Sequence, residues 1–184
     1  GVIKMKELHI PALHFTDVVG SIRYEDGDLR FDDVSAAVYG GHLLANGTYN
    51  LDTRYYRIDG QGAGLRSDQA LTGSGLACAV DLDIHVESKG GPRQTTFYGS
   101  FRSGEGHYRR FPFTYLSGNF YEAYHDLRFS DLNIQMAAFR ISTDALTFKD
   151  GKLTLREIRL TDEGGQLLHV LEPPEGRAEG TAAP

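Results

Sequence analysis

Short runs in which apolar and polar residues alternate strictly recur along this chain. The pattern is clear in Leu29-Arg30-Phe31, in Leu82-Asp83-Ile84 and in Leu127-Arg128-Phe129. A period of two residues puts every second side chain on the same face of an extended strand. Helical periodicity is almost absent, and the best helix candidate is the short segment 66–70. The sequence therefore predicts an all-β protein whose strands have one apolar and one polar face.

Turn residues separate these alternating runs. Asp26-Gly27 and Asp150-Gly151 each lie between two of them, and Asp-Gly between alternating runs is the strongest short-range hairpin signal. Glu105-Gly106 is a weaker candidate for the same turn. Pro, Gly, Ala and Glu dominate the sequence after residue 172, so residues 173–184 are predicted to form a disordered tail.

The chain also repeats itself. The nine residues from Asp26 align without a gap with the nine from Asp150, a displacement of 124 residues. A displacement of 98 residues places Asp28 on Asp126, and one of 79 residues places Gly20 on Gly99. Repeats of this kind are typical of proteins that grow by stacking one unit. We therefore predict a single repetitive segment over residues 1–172, with copies near 18–51, 97–115, 116–140 and 141–170.

Each well-matched copy contains the same slip in its alternation. Asp32 and Asp33 both fall between the apolar residues Phe31 and Val34, and the pairs Ser130-Asp131 and Arg156-Glu157 interrupt their copies in the same way. An extra residue in a strand is a β-bulge, which bends the strand and raises its twist. Bulges at one level in successive strands curl a sheet. The expected fold is a curved, mostly antiparallel sheet of repeated hairpins that forms an open, taco-like groove with an apolar concave face.

The candidate lining of this groove consists of the apolar residues on the inner side of the alternation. They are Ile22, Leu29, Phe31, Val34, Val38, Leu43, Phe101, Phe120, Leu127, Phe129, Leu132, Ile134, Leu146, Phe148, Leu153, Leu155, Ile158 and Leu160. The alternative is that these side chains pack against one another as the core of a closed sandwich.

Composition argues against several classes of function. The chain of 184 residues has a net charge of −6, whereas a nucleic-acid surface needs an excess of Lys and Arg. Its single cysteine cannot form an internal disulfide or a multi-cysteine metal site. The apolar runs are shorter than the roughly 18 residues of a membrane helix.

No cluster of residues predicts a catalytic, metal or cofactor site. Asp81, Asp83 and His85 alternate on one strand face, but side chains two residues apart are separated by about 7 Å, so a solvated face is the preferred interpretation. Cys78 lies between two alanines and is predicted to be a small core residue. Residues 60–64 are rich in glycine without the helix that a dinucleotide site requires, which favours a loop or a strand crossing. We therefore predict that the protein is not an enzyme.

One ordered set of motifs resembles a known family. Val19-Gly20-Ser21-Ile22, then Asp26-Gly27, then Gly40-Gly41-His42-Leu43 follow the order apolar-Gly-x-apolar, turn, Gly-Gly-x-Leu. This order resembles the repeat of the AsmA-like proteins, which include the TamB group, and the best match covers residues 18–65. The resemblance implies a β-taco groove in the periplasm, between the two membranes of a bacterial cell envelope. It also implies that this segment belongs to a longer protein anchored in the inner membrane.

The function implied by this resemblance is lipid transport or outer-membrane biogenesis. Burial of an acyl chain contributes about 0.8 kcal/mol per methylene group, which suits an apolar groove that holds lipid tails. The expected partners are phospholipid acyl chains, neighbouring repeats of the same longer chain and an outer-membrane barrel assembly protein. One alternative is an assembly scaffold that works by strand addition. Another is a carbohydrate-binding or adhesin-like β-solenoid with aromatic platforms at Tyr55, Tyr56, Tyr121 and Tyr124.

Overall fold

The computed structural model describes residues 1–10, 13–124, 126–149 and 152–171, which form one β-sheet. Its strands are β1 (Val2–Ile10), β2 (Leu13–Glu25), β3 (Asp28–Val38), β4 (Gly41–Asn50), β5 (Tyr56–Arg66), β6 (Leu76–Ser88), β7 (Thr95–Tyr108), β8 (Phe111–Phe113), β9 (Tyr115–Ala123), β10 (Asp126–Gln135), β11 (Phe139–Lys149), β12 (Lys152–Leu155), β13 (Ile158–Asp162) and β14 (Leu167–Leu171). A one-turn helix, α1 (Ser67–Ala70), follows β5, and a 3₁₀ turn (Pro92–Gln94) precedes β7. The predicted short helix at residues 66–70 is therefore confirmed.

The strands follow the chain order in an antiparallel meander. The sheet runs from β1 to β7 without a crossover and then through β9, β10, β11 and β13 to β14. β8 and β9 both pair with β7, and together they act as one interrupted strand. β12 and β13 both pair with β11 in the same way. β1 and β14 stand at opposite ends of this order, so the sheet does not close on itself. The prediction of an all-β, antiparallel and open sheet is confirmed.

The Asp26-Gly27 hairpin has the backbone that its residues favour. Both residues have positive φ, 52° and 89°, as a two-residue turn between twisted strands requires. β2 and β3 pair up to Glu25 and Asp28 on either side of this turn, which confirms the prediction. β11 and β12 likewise pair up to Lys149 and Lys152. The predicted turn at 150–151 and the predicted tail at 173–184 lie outside the described residues.

The turn predicted at Glu105-Gly106 is wrong, because β7 continues through it to Tyr108. The register between β6 and β7 shifts at this level, so the chain absorbs an extra residue as a bulge. Gly106 provides space for close packing, since a Cβ atom there would lie 2.6 Å from the Cβ atom of Cys78. The chain reverses instead at Arg109, whose φ is 52°.

Two of the three predicted bulges are present. The register of β3 with β4 shifts between Phe31 and Val34, and that of β10 with β9 shifts between Ser130 and Asn133. Asp33 and Asp131, which one repeat displacement separates, carry nearly the same left-handed φ of 49° and 50°. The bulge predicted at Arg156-Glu157 takes another form: the strand is interrupted there without a change of register with β11. Arg156 N–H still donates to the Ala145 carbonyl at 2.9 Å, which holds the interrupted strand in line.

Little of the apolar surface is fully buried. Among the described residues the buried apolar side chains are Val18, Ala36, Val38, Leu65, Cys78, Phe113 and Leu116. Three of them form a small cluster, Cys78 with Phe113 and Leu116, which confirms the prediction that Cys78 is a core residue. A sheet normally buries its apolar face against a second layer. The described residues form one sheet and no second sheet, and the alternative of a closed core stays a question for experiment.

Candidate functional site

Strand register collects the predicted lining residues on one side of the sheet, here called the apolar face. Residues paired across strands point the same way, and so do residues two apart within a strand. One row of paired residues shows the result: Val34, Ala45, Gly60, Ile84, Gly99, Phe120, Phe129 and Leu146. The row beside it contains Ile22, Phe31, Gly47, Ile58, Val86, Phe97, Glu122 and Leu127, where Glu122 is a charged interruption.

Most of the predicted lining is only half-buried. Fourteen of the predicted lining side chains are intermediate in exposure, namely Ile22, Leu29, Phe31, Val34, Leu43, Phe101, Phe120, Leu127, Phe129, Leu132, Ile134, Leu146, Ile158 and Leu160. Val38 is buried, with 6% of its surface exposed. Backbone pairing of β10, β11 and β12 assigns Phe148, Leu153 and Leu155 to the rows of the apolar face. The register thus places the predicted residues together on one face.

Aromatic rings on the apolar face lie over glycines of adjacent strands. Phe101 on β7 and Phe129 on β10 meet edge to face with their ring centroids 6.1 Å apart. Gly118 lies between them on β9, and a Cβ atom there would be 2.9 Å from Cζ of Phe101. Phe120 covers Gly99 in the same way, at 3.1 Å from a Cβ atom built there. These contacts produce a surface of hydrocarbon and ring edges.

The opposite side, here called the polar face, carries charged and polar side chains. One of its rows consists of Asn46, Asp59, His85, Tyr98, Tyr121 and Arg128. Surface hollows open on this face, two of them with volumes of about 610 Å³ and 760 Å³. Polar side chains that line the first include Ser35, His42, Gln61, Asp81, Asp83, Ser100 and Arg102.

Hydrogen-bonded pairs organise the charges of the polar face. His85 Nδ1 forms a short hydrogen bond with Asp59 Oδ1, and the His85 ring stacks on Tyr98 at 5.0 Å. Arg128 donates two hydrogen bonds to Asp126, which lower the pKa of the carboxyl group and raise the pKa of the guanidinium. These exposed pairs hold the polar face in a fixed pattern but gather no catalytic set.

The remaining sequence candidates are structural. Asp81 accepts a hydrogen bond from Gly64 N–H at 2.9 Å, while His85 faces Asp59, so the two do not converge on one ion. The expected loop or strand crossing at the glycine-rich segment 60–64 is wrong, because the segment belongs to β5, where the register with β6 shifts. The tyrosine platform that the carbohydrate-binding alternative requires is divided, since register places Tyr56 on the apolar face and Tyr121 on the polar face.

Several members of the apolar face were missing from the predicted lining. Ile58, Leu82, Ile84, Val86 and Phe97 share its rows through direct pairing. The alternation of residues 82–86 was a visible signal for three of them. Four of them, Ile58, Leu82, Ile84 and Val86, lie between the copies predicted at 18–51 and 97–115, so only pairing across strands assigns their face.

Comparison of the chain with protein-family models, with curated proteins and with solved structures found no match. Within the described residues no helix is long and apolar enough to cross a membrane.

Proposed function

We propose that the apolar face carries phospholipid acyl chains between the inner and outer membranes of a bacterial cell envelope. In this proposal the apolar face is the concave lining of a groove, and the segment belongs to a longer protein anchored in the inner membrane. The observation that carries the proposal is the uncovered state of that face. Fourteen predicted lining residues keep part of their surface exposed, on a single sheet to which the described residues add no second sheet.

Physical chemistry favours an apolar guest on such a surface. Soluble proteins rarely expose contiguous apolar patches of more than a few hundred Å², and larger ones mark interaction sites. An acyl chain laid across Phe101, Phe120 and Phe129 gains about 0.8 kcal/mol for each methylene group removed from water. Hydrocarbon and ring edges bind each part of a sliding chain similarly, which suits transport better than storage.

Native mass spectrometry of the purified chain tests this function. The expected result is a population with one or more bound phospholipids, which detergent exchange removes and which added phospholipid restores. A chain that is free of lipid as purified and stays free after incubation with phospholipid vesicles contradicts the proposal.

Strand addition is a second candidate function, and the open ends of the sheet favour it. Among the described residues β1 has β2 as its only strand neighbour, and β14 has only β13. Exposed apolar side chains accompany both edges, with Val2 78% and Leu167 52% exposed. An exposed edge offers unpaired N–H and C=O groups to a partner strand. Crosslinks to an outer-membrane barrel assembly protein that concentrate on β1 or β14, rather than on the apolar face, would favour this function.

A further inference from the structure

The far end of the β1–β2 hairpin groups three side chains that can ligate a metal. His9 on β1 pairs directly with His14 on β2, and their imidazole rings stack with centroids 4.2 Å apart and planes 10° from parallel. Glu7 precedes His9 by two residues, so its side chain lies on the same strand face. Two imidazoles and one carboxylate therefore share one side of the hairpin.

The distances between the ligand atoms are close to those of a metal site. Glu7 Oε2 lies 3.5 Å from His9 Nε2 and 4.0 Å from His14 Nε2. One ligand atom from each residue falls within 4.8 Å of the others. Tetrahedral zinc with bonds of about 2.0–2.1 Å separates its ligand atoms by about 3.3–3.5 Å. To bind one ion, the two rings must also turn out of their parallel stack, so that both in-plane nitrogen lone pairs point at it. The exposure of all three groups, each more than half exposed, leaves room for that rotation.

We propose that Glu7, His9 and His14 form a zinc-binding site. Neutral imidazole nitrogen and carboxylate oxygen are preferred ligands of Zn²⁺, whereas Ca²⁺ and Mg²⁺ prefer sites built from oxygen alone. The three protein ligands leave a fourth position for water. This proposal is independent of lipid binding, since it rests on the hairpin end and not on the apolar face.

A bound ion would join the edge strand to the rest of the sheet. β1 is held in the described sheet by β2 alone, and its pairing ends at Ile10 and Leu13, next to the His9–His14 pair. One ligand from β2 and two from β1 make the ion a crosslink between the strands. A ligand that binds only the paired hairpin stabilises that pairing. Zinc should therefore reduce opening of the edge strand.

Isothermal titration calorimetry with zinc chloride and the full chain, free of any affinity tag, tests the site. We expect one zinc ion per chain and a loss of affinity of at least tenfold in His14→Gln and in His9→Gln. The matched control is His169→Gln, which removes an exposed histidine on β14. Cys78 does not compete for the ion because it is buried. Equal affinity of His14→Gln and the unaltered chain, or an equal loss in His169→Gln, would overturn the proposal.

Nuclear magnetic resonance provides a second readout that does not depend on a variant. Of the seven histidines in the chain, only His9 and His14 should show imidazole shifts with one equivalent of Zn²⁺. Amide hydrogens of β1 and β2 should exchange more slowly with zinc than without it. Shifts confined to other histidines would place the ion elsewhere and overturn the proposal. Unchanged amide exchange in β1 at saturating zinc would show that no ion joins β1 to β2, which also overturns it.

Discussion

The rings of Phe101 and Phe129 meet edge to face with their centroids 6.1 Å apart, although strand β9 lies between the two strands that carry them. Neighbouring strands are about 4.8 Å apart, so side chains on β7 and β10 start about 10 Å from each other. Gly118 on β9, which pairs with Phe101, has no side chain in the way, and the Phe101 ring lies over it, with Cζ 2.9 Å from the position that a Cβ atom would take. Two side chains of the same sheet face thus bury part of each other's surface, without a second layer.

This contact should appear as an energetic coupling. In a double-mutant cycle with Phe101→Ala and Phe129→Ala, we expect a favourable coupling of about 0.5–1.5 kcal/mol, as for edge-to-face aromatic pairs. Urea denaturation of the four chains measures it. The cycle of Phe31→Ala with Phe129→Ala is the control, because β3 and β10 are far apart in the strand order and distant sites add to within about 0.3–0.5 kcal/mol. Additive effects for Phe101 and Phe129 would contradict a direct contact.

The bulge at Asp131 should prefer glycine to a β-branched residue. Its φ of 50° is left-handed, a conformation that costs most side chains about 1–2 kcal/mol. Asp131→Val should therefore unfold at lower urea than Asp131→Gly, and both variants lose the hydrogen bond from Asn119 Nδ2 equally. Asn133, two residues on, is the control: it lacks positive φ, so Asn133→Val should be more stable than Asn133→Gly. The same order at both positions would show that the bulge does not set the preference.

The Asp126–Arg128 pair should stabilise the sheet near neutral pH and lose its effect in acid. Hydrogen bonds from Arg128 lower the pKa of Asp126 below its ordinary value of 3.8. A carboxyl group with a depressed folded-state pKa contributes stability that is complete above the unfolded pKa and is lost as pH falls through the folded pKa. Arg128→Gln should therefore be less stable than the unaltered chain at pH 7, and the difference should shrink at pH 3.

Urea denaturation at the two pH values measures that difference. Carboxyl ¹³C titration provides a direct control, since the midpoint of Asp126 should rise toward 3.8 when Arg128 is replaced. A stability difference that is the same at pH 7 and pH 3 would assign the effect of Arg128 to packing.

The sequence pattern predicted turns and bulges, which depend on a few residues that are neighbours in the chain. The Asp26-Gly27 turn and the slips at Asp33 and Asp131 follow from backbone preferences that a few residues carry. Gly106 was misassigned because a glycine in a turn and a glycine under a neighbouring ring look alike in sequence, and only the approach of Cys78 and Phe113 distinguishes them.

Contacts between residues on different strands could not be predicted from the sequence pattern, because they depend on how the strands pair. The alternation assigned the apolar side of each strand, but the partners of Phe101 and Phe129 depend on register over an intervening glycine. The grouping of His9 with His14 depends on the register of β1 with β2. The division of the chain into repeat copies stays a prediction, which the matching bulges at Asp33 and Asp131 support at one displacement.

A single carboxylate on the apolar face should displace lipid and leave the sheet folded. Phe129 is half-buried on that face, in the row with Phe120 and Leu146, so an aspartate there would meet a bound acyl chain. A carboxylate against hydrocarbon costs several kcal/mol, whereas water can hydrate it once the lipid has left an uncovered surface. Phe129→Asp should therefore lose bound phospholipid in native mass spectrometry while circular dichroism retains its strand signal.

Tyr121→Asp is the matched control for this last prediction. It replaces one aromatic residue with the same aspartate and makes the same change in net charge, on the adjoining strand, but Tyr121 is 44% exposed on the polar face. We expect it to keep both the fold and the lipid of the unaltered chain. Equal loss of lipid from both variants would show that charge alone repels it, wherever the charge is placed. Unfolding of Phe129→Asp alone would show that Phe129 belongs to a closed core, because an uncovered face has water available for the carboxylate.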